Sequence, residues 1–139
     1  MPRAPRSLIL VLGDQLSHGL ASLRAGDKTR DVVLMVEVAD ETTYVRHHKK
    51  KIAFILSAMR HFASELSASG WKVEYVRLDD ADNTGSFTGE VGRAVGRLKP
   101  ERIVVTEPGE WRVRQMFEAW STAFERPVEI LDDDRFIAS

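Results

Sequence analysis

Near the start of the chain, Leu8 to Leu12 stand together without a polar break, and Gly13-Asp14-Gln15 closes the run. A short apolar run that is rich in branched side chains and ended by a turn signal fits a strand buried on both faces. Such strands belong to parallel sheets covered above and below by helices. In those sheets ligands bind beyond the carboxyl ends of the strands, where strand order reverses. The first strand of a doubly wound sheet usually flanks that point, so Gly13, Asp14 and Gln15 are the first place to look for a binding site. Asp14 suits two jobs there: bonding a polar heterocycle or a polyol, or capping the short helix that follows.

The chain beyond this run alternates helix and strand patterns. Leu16, Leu20 and Leu23 fit one face of a short helix, which Ser17 and Gly19 weaken. A polar turn at Gly26–Arg30 leads to a second strand over Asp31–Val38. The longest helix carries Ile52, Ile55, Leu56, Met59, Phe62, Ala63 and Leu66 at helical spacing, with Asp40 or Thr42 as its cap and Gly70 as its stop. Lys72–Leu78 alternates and so belongs near a sheet edge. A loop over Asp79–Gly85 precedes a helix with Phe87, Val91, Ala94, Val95 and Leu98, which Pro100 ends. Arg102–Thr106 is the fourth strand. Val113, Met116, Phe117, Trp120 and Phe124 mark one face of the last helix, and Val128–Leu131 is the fifth strand. This β-α alternation predicts an α/β fold, a doubly wound five-stranded parallel sheet of Rossmann-like type with helices on both faces. One domain accommodates the whole length of 139 residues. The run Asp132–Ser139 has no finishing helix, yet Phe136 and Ile137 are odd choices for a free tail. We therefore expect the chain to be a domain cut from a longer protein.

Several function classes are disfavoured. No G-x-G-x-x-G follows the first strand, and no Gly-rich loop ends in Lys-Ser/Thr, so dinucleotide and P-loop phosphate sites are not expected. The spacing of Gly85, Gly89, Gly92 and Gly96 favours close packing of a helix on the sheet over phosphate binding. With 20 basic and 21 acidic side chains, the domain lacks the basic excess of a stand-alone DNA-binding module. It has no cysteine, which rules out a thiolate zinc site or an iron–sulfur cluster held by these residues. No apolar run reaches transmembrane length and the N-terminus lacks a signal-peptide core, so a cytoplasmic location without membrane contact is expected.

Other residues invite a functional reading beside a structural one. Glu37, Asp40 and Glu41 follow the second strand, where a carboxylate takes sugar hydroxyls or, alternatively, offsets a helix start. His47-His48-Lys49-Lys50-Lys51 is either a solvated basic face or a docking element that an anion offsets. Trp111, beside Arg112 and Arg114, lies after the fourth strand. It is placed to stack on a ligand, to meet another domain, or simply to cover the sheet. His18 and His61 have no evident catalytic partner.

Four segments together resemble the N-terminal domain of bacterial photolyase-related flavoproteins, the iron–sulfur cryptochrome and (6-4) photolyase group. They are LVLGDQLS (Leu10–Ser17), YVRHHKKKIAFILSAMRHFA (Tyr44–Ala63), DDADNTGSFTGEV (Asp79–Val91) and VTEPGEWRVR (Val105–Arg114). The resemblance implies an antenna domain that binds 6,7-dimethyl-8-ribityllumazine and passes excitation energy to FAD in a later helical domain. That domain would also hold a [4Fe–4S] cluster and meet damaged DNA. The antenna pocket is then expected among Gly13, Asp14, Gln15, Glu41 and Tyr44, with Ile55 in its apolar wall. The resemblance puts no catalytic residue in this chain. Its partners are the rest of its own polypeptide and, through that, DNA. The competing readings are a non-enzymatic nucleotide-binding domain or an interaction domain built on the same sheet.

Overall fold

The computed structural model describes residues 4–38, 49–109 and 111–133, with the backbone alone for residues 49–52. The elements run β1 (Ser7–Leu10), α1 (Ala21–Arg24), β2 (Asp31–Val36), α2 (Lys49–Ala68), β3 (Lys72–Val76), α3 (Phe87–Leu98), β4 (Arg102–Thr106), α4 (Trp111–Ala123) and β5 (Val128–Leu131). The five strands lie in the order β3-β2-β1-β4-β5, and every neighbouring pair is parallel. Strand order therefore reverses at β1, and the carboxyl ends of β1 and β4 flank the reversal, as the opening apolar run predicts. Ser7 sits opposite Asp31 on one side and Arg102 on the other.

The central position of β1 explains its composition. Leu8 and Leu10 face one layer with Val32, Leu34, Ile103 and Val105, covered by α3 and α4 through Val91, Val95, Phe117 and Trp120. Ile9 and Val11 face the other layer with Val33, Met35 and Val104, covered by α1 and α2 through Leu23, Met59, Phe62 and Leu66. Leu8 to Val11 are at most 1% exposed. Each such side chain contributes about 1.5–3 kcal/mol by leaving water, so a polar residue here would lose that term and need a partner as well. The edge strand β3 has an exposed first residue, Lys72, and is only partly buried beyond it, which matches its alternating sequence.

Helix ends follow their punctuation. Gly70 has φ 101°, and its N–H bonds to Ser67 O while Trp71 N–H bonds to Leu66 O. That is the paired-bond glycine stop of α2, with Trp71 folded back onto the core. Ser86 Oγ accepts from Gly89 N–H at 3.0 Å and caps α3. Lys99, in left-handed conformation, then ends α3 just before Pro100. The expected α2 caps Asp40 and Thr42 lie outside the described residues.

Three strands are shorter at their carboxyl ends than the sequence runs, β2 stopping at Val36 rather than Val38. β1 stops at Leu10 rather than Leu12, because Leu12 N–H turns to the side chain of Gln15. β3 stops at Val76 rather than Leu78, because Leu78 N–H bonds to Glu37. α1 begins only at Ala21, so Leu16 packs from the preceding turn. Two of the glycines of α3 serve packing, but not against the sheet. A Cβ on Gly92 would meet the Phe124 ring at 3.2 Å and one on Gly89 would strike Thr84, whereas one on Gly96 meets open space.

Candidate functional site

The carboxyl rim holds the turn after β1, and this turn is tied in two directions. Toward β4, Gln15 is 2% exposed. Its Oε1 accepts from Leu12 N–H at 3.3 Å, and its Nε2 donates to Thr106 O at 3.0 Å and Glu107 O at 3.4 Å. Beside it, Thr106 Oγ1 accepts from Ser22 N–H at 3.1 Å and donates to Ser22 Oγ at 2.9 Å. The gap between β1 and β4 at the strand reversal is thus stitched by side chains of the chain itself. A buried carboxamide reaches such a place only when both its ends are bonded.

Toward α2 the contact is steric. A Cβ on Gly13 would lie 3.1 Å from Met59 Sδ and 3.5 Å from Ile55 Cγ2. Glycine lets the turn pack directly on α2 and leaves its backbone within reach of whatever sits beside Ile55. The structure therefore brings Gly13 and Ile55 together, sets Asp14 exposed at the rim, and commits the Gln15 carboxamide to the turn. Glu41 and Tyr44 lie outside the described residues, as do Asp40, His47 and His48; of Lys49, Lys50 and Lys51 only the backbone is described.

Glu37 takes neither of the roles its position suggests. It is 0% exposed. Arg60 grips it with Nε at 2.7 Å and Nη2 at 2.9 Å, Leu78 N–H donates at 2.8 Å, and the Tyr75 hydroxyl donates as well. Its own carbonyl accepts from Asn83 Nδ2 at 2.7 Å, which docks the Asp79–Gly85 loop on the end of β2. Burial alone would raise the Glu37 carboxyl; the bonds from Arg60, Tyr75 and Leu78 outweigh it and hold the group below the ordinary carboxylate range. Burial and the neighbouring carboxylate push the Tyr75 phenol upward. Glu90, 2% exposed, does similar work for the same loop, accepting from Thr84 N–H and Thr84 Oγ1, both at 2.7 Å, and from Arg93 at 2.6 Å.

Trp111, the first residue of α4, is 70% exposed, so it does not cover the sheet. Trp71 and Trp120 do that, one on each face. Arg114 is held by Glu107 and by Glu118 at 3.2 Å. His18 and His61 flank Glu65 on the surface at 3.9 and 3.7 Å. Among the described residues no group of three or more His, Asp and Glu side chains is placed to hold a metal ion. None of their helices is long and apolar enough to cross a membrane.

The partners of the buried acids are what sequence reasoning missed. A lone acid ending an apolar strand was a visible signal, but Arg60 reads as an ordinary surface position of an amphipathic helix. Nothing in the spacing of Arg60, Tyr75 and Asn83 points to Glu37.

Comparison with known proteins concerns the chain as a whole. Residues 9–139 match the family model described as deoxyribodipyrimidine photo-lyase-related protein. The chain is also 58% identical over 132 residues to a protein named (6-4) photolyase from Agrobacterium fabrum (strain C58 / ATCC 33970). That similarity takes in 95% of this chain and 26% of the relative, so the chain spans about a quarter of the relative's length.

Proposed function

Because the chain belongs to the deoxyribodipyrimidine photo-lyase-related family, we propose that it is the antenna-binding domain of a light-dependent DNA-repair flavoprotein. In this reading it holds 6,7-dimethyl-8-ribityllumazine at the carboxyl rim. FAD, a [4Fe–4S] cluster and the contact with damaged DNA belong to polypeptide outside these residues. The sequence offers no cysteine for such a cluster. A cytoplasmic location is part of the same proposal.

The observation that carries the reading is the packing of the Gly13 turn on Ile55 and Met59 of α2. A ring-plus-polyol ligand needs an apolar wall and a few convergent polar groups. Ile55 is half-buried and offers such a wall; the Gly13 backbone is unscreened by a side chain, and the Asp14 carboxylate offers acceptors for hydroxyls. The proposal adds to this set Glu41 and Tyr44, which precede α2 in the sequence. Gln15 acts one step back: its carboxamide holds the turn against β4, and the turn's other flank rests on Ile55 and Met59. The lumazine supplies light absorption when bound; these residues orient it and exclude water from its ring.

The test is a fluorescence titration of the purified chain with 6,7-dimethyl-8-ribityllumazine. Saturable binding is expected, and Ile55→Trp, which puts a larger ring on the proposed wall, should weaken it at least ten-fold without moving the thermal midpoint. Absence of binding, or full affinity in a folded Ile55→Trp variant, overturns the proposal. Binding of ATP at the Gly13 turn in place of the lumazine also overturns it, in favour of a nucleotide-binding domain.

A further inference from the structure

A groove of about 520 Å³ opens at the other end of the sheet, where the strands begin. Small-molecule sites commonly enclose ~300–1,000 Å³, so the groove is large enough for an organic ligand. Pro5, Val32 and Leu98 give it an apolar lining. Its walls are fixed by backbone bonds: Arg6 N–H to Arg30 O at 2.7 Å, and Glu101 N–H to Arg6 O at 3.1 Å. A preformed groove of this kind loses little on binding.

The charges sort into a hydrogen-bonded pair and a pair of cations without such a bond, of which Arg30 also lies near enough to Asp27 to help lower that carboxyl. Arg6 bonds Asp31 with Nε at 3.1 Å and Nη2 at 2.7 Å. Asp31 also accepts from Ser7 N–H at 3.0 Å and Asp27 N–H at 2.7 Å, so its acceptors are taken. Arg30 and Lys72 remain. Both are exposed, both line the groove, and neither side chain has a hydrogen-bonded carboxylate partner among the described residues. Lys72 stands opposite Val32 in the β2–β3 register and Arg30 precedes Val32 by one residue beyond Asp31, which sets the two cations at neighbouring strand starts. Glu101 adds one acceptor to the lining.

We propose that this groove binds a mononucleotide. The phosphate bridges Arg30 and Lys72, where charge-assisted bonds to a planar guanidinium are strongest. The base lies on Pro5 and Leu98, and Glu101 accepts a ribose hydroxyl. The site is at the opposite end of the sheet from Gly13 and Ile55, and the antenna reading does not depend on it.

The experiment is a titration of the 139-residue chain with AMP at low ionic strength, followed by amide NMR shifts and calorimetry. The expected result is saturable binding with Kd below about 1 mM, with shifts at Arg30, Val32, Lys72 and Glu101. Arg30→Glu with Lys72→Glu should weaken it at least ten-fold while the thermal midpoint stays put, since both side chains are exposed. Ile55→Trp should leave it unchanged. No saturation by 10 mM, as a generous ceiling of about ten times that Kd, overturns the proposal, as does equal affinity in the double variant. Inorganic phosphate binding as tightly as AMP removes the base and ribose contacts and overturns it too. Affinity that grows with the length of an unphosphorylated oligonucleotide points to a nucleic-acid backbone instead. Shifts confined to Gly13–Gln15 place the ligand at the other rim and likewise count against it.

Discussion

Strand β2 carries a buried acid at each end, and the two are held differently. Asp31 opens the strand at 1% exposure and Glu37 follows its last residue at 0%. Each is gripped through both carboxylate oxygens by the Nε–Nη2 edge of one arginine, Arg6 for the first and Arg60 for the second. The remaining donors differ. Asp31 keeps two backbone N–H groups, from Ser7 at the start of β1 and from Asp27 in the turn before β2. Glu37 keeps one backbone N–H, from Leu78, and the Tyr75 phenol. Asp31 thus ties the turn before β2 to the start of β1, whereas Glu37 joins α2, β3 and the following loop. The lesson concerns position: the ligand-facing end of a strand does not make its carboxylate a ligand group. Once Arg60, Tyr75 and Leu78 are counted, the Glu37 acceptors are taken up inside the protein.

The sharpest way to break this comparison is to remove the two arginines in turn. Breaking one side of a buried ion pair costs about 3–5 kcal/mol, because the other charge is left buried. Arg60 is 42% exposed, so water can partly replace it. Arg60→Met should therefore fall near the low end, about 3 kcal/mol. Arg6→Met should cost less, about 2 kcal/mol, because fixed backbone donors stay on Asp31. Urea unfolding of both variants checks this; equal losses, or a larger one for Arg6, would show that joining three elements confers nothing extra.

A pH series is the next sharpening. Burial raises the Asp31 carboxyl, but the Arg6 and backbone bonds overcome it, so Asp31 and Glu37 both sit below the ordinary carboxylate value in the folded state. A group whose folded pKa is depressed binds its proton more readily when unfolded. Its contribution is therefore complete above the unfolded pKa of about 4 and is lost as pH falls through the folded value. Stability should be level near neutrality and drop on acidification below about pH 4.5. Glu37→Gln should be less stable at neutral pH and show a shallower acid drop. An unchanged acid slope in that variant would place the titration elsewhere.

How much of this was legible in the sequence depends on range. The strands from Arg102 and Val128 were readable to the residue, because each is a short branched run closed by turn chemistry. The reversal at β1 was readable from Leu8–Leu12, since only a central strand tolerates so little polarity. The carboxyl ends of β1 and β3 were not. There a side chain from elsewhere, Gln15 or Glu37, takes the backbone N–H that would have extended the ladder, and periodicity carries no record of that. Gly13 and Ile55 were placed together by resemblance, and their contact is a tertiary event. Trp111 was ambiguous for the same reason: an aromatic at a helix start packs or not according to what lies over it.

Gln15 offers a smaller test on the rim itself. Gln15→Leu keeps the volume but strands the Leu12 N–H and the Thr106 carbonyl, and an unsatisfied buried group costs about 1–3 kcal/mol. A loss of about 2 kcal/mol is expected, with amide exchange quickened at Leu12 and Glu107. Wild-type stability would mean that the β1–β4 gap does not need stitching, and that Gln15 is available to a ligand after all.

Trp111→Ala is expected to do least. Trp120, 1% exposed, packs tilted against Phe117 with ring centroids 4.9 Å apart and donates Nε1–H to Thr88 Oγ1 at 3.0 Å. Trp111 has 70% of its surface in water, and truncating an exposed side chain usually shifts stability by no more than ~0.5 kcal/mol. Its fluorescence should be quenched by acrylamide far more readily than that of Trp71 or Trp120, so the quenchable fraction should vanish in Trp111→Ala while the unfolding midpoint holds. A marked loss of stability would mean that the β4 side of the rim is packed as firmly as the β2 side. The contrast between a locked Glu37 corner and an open Trp111 corner would then disappear.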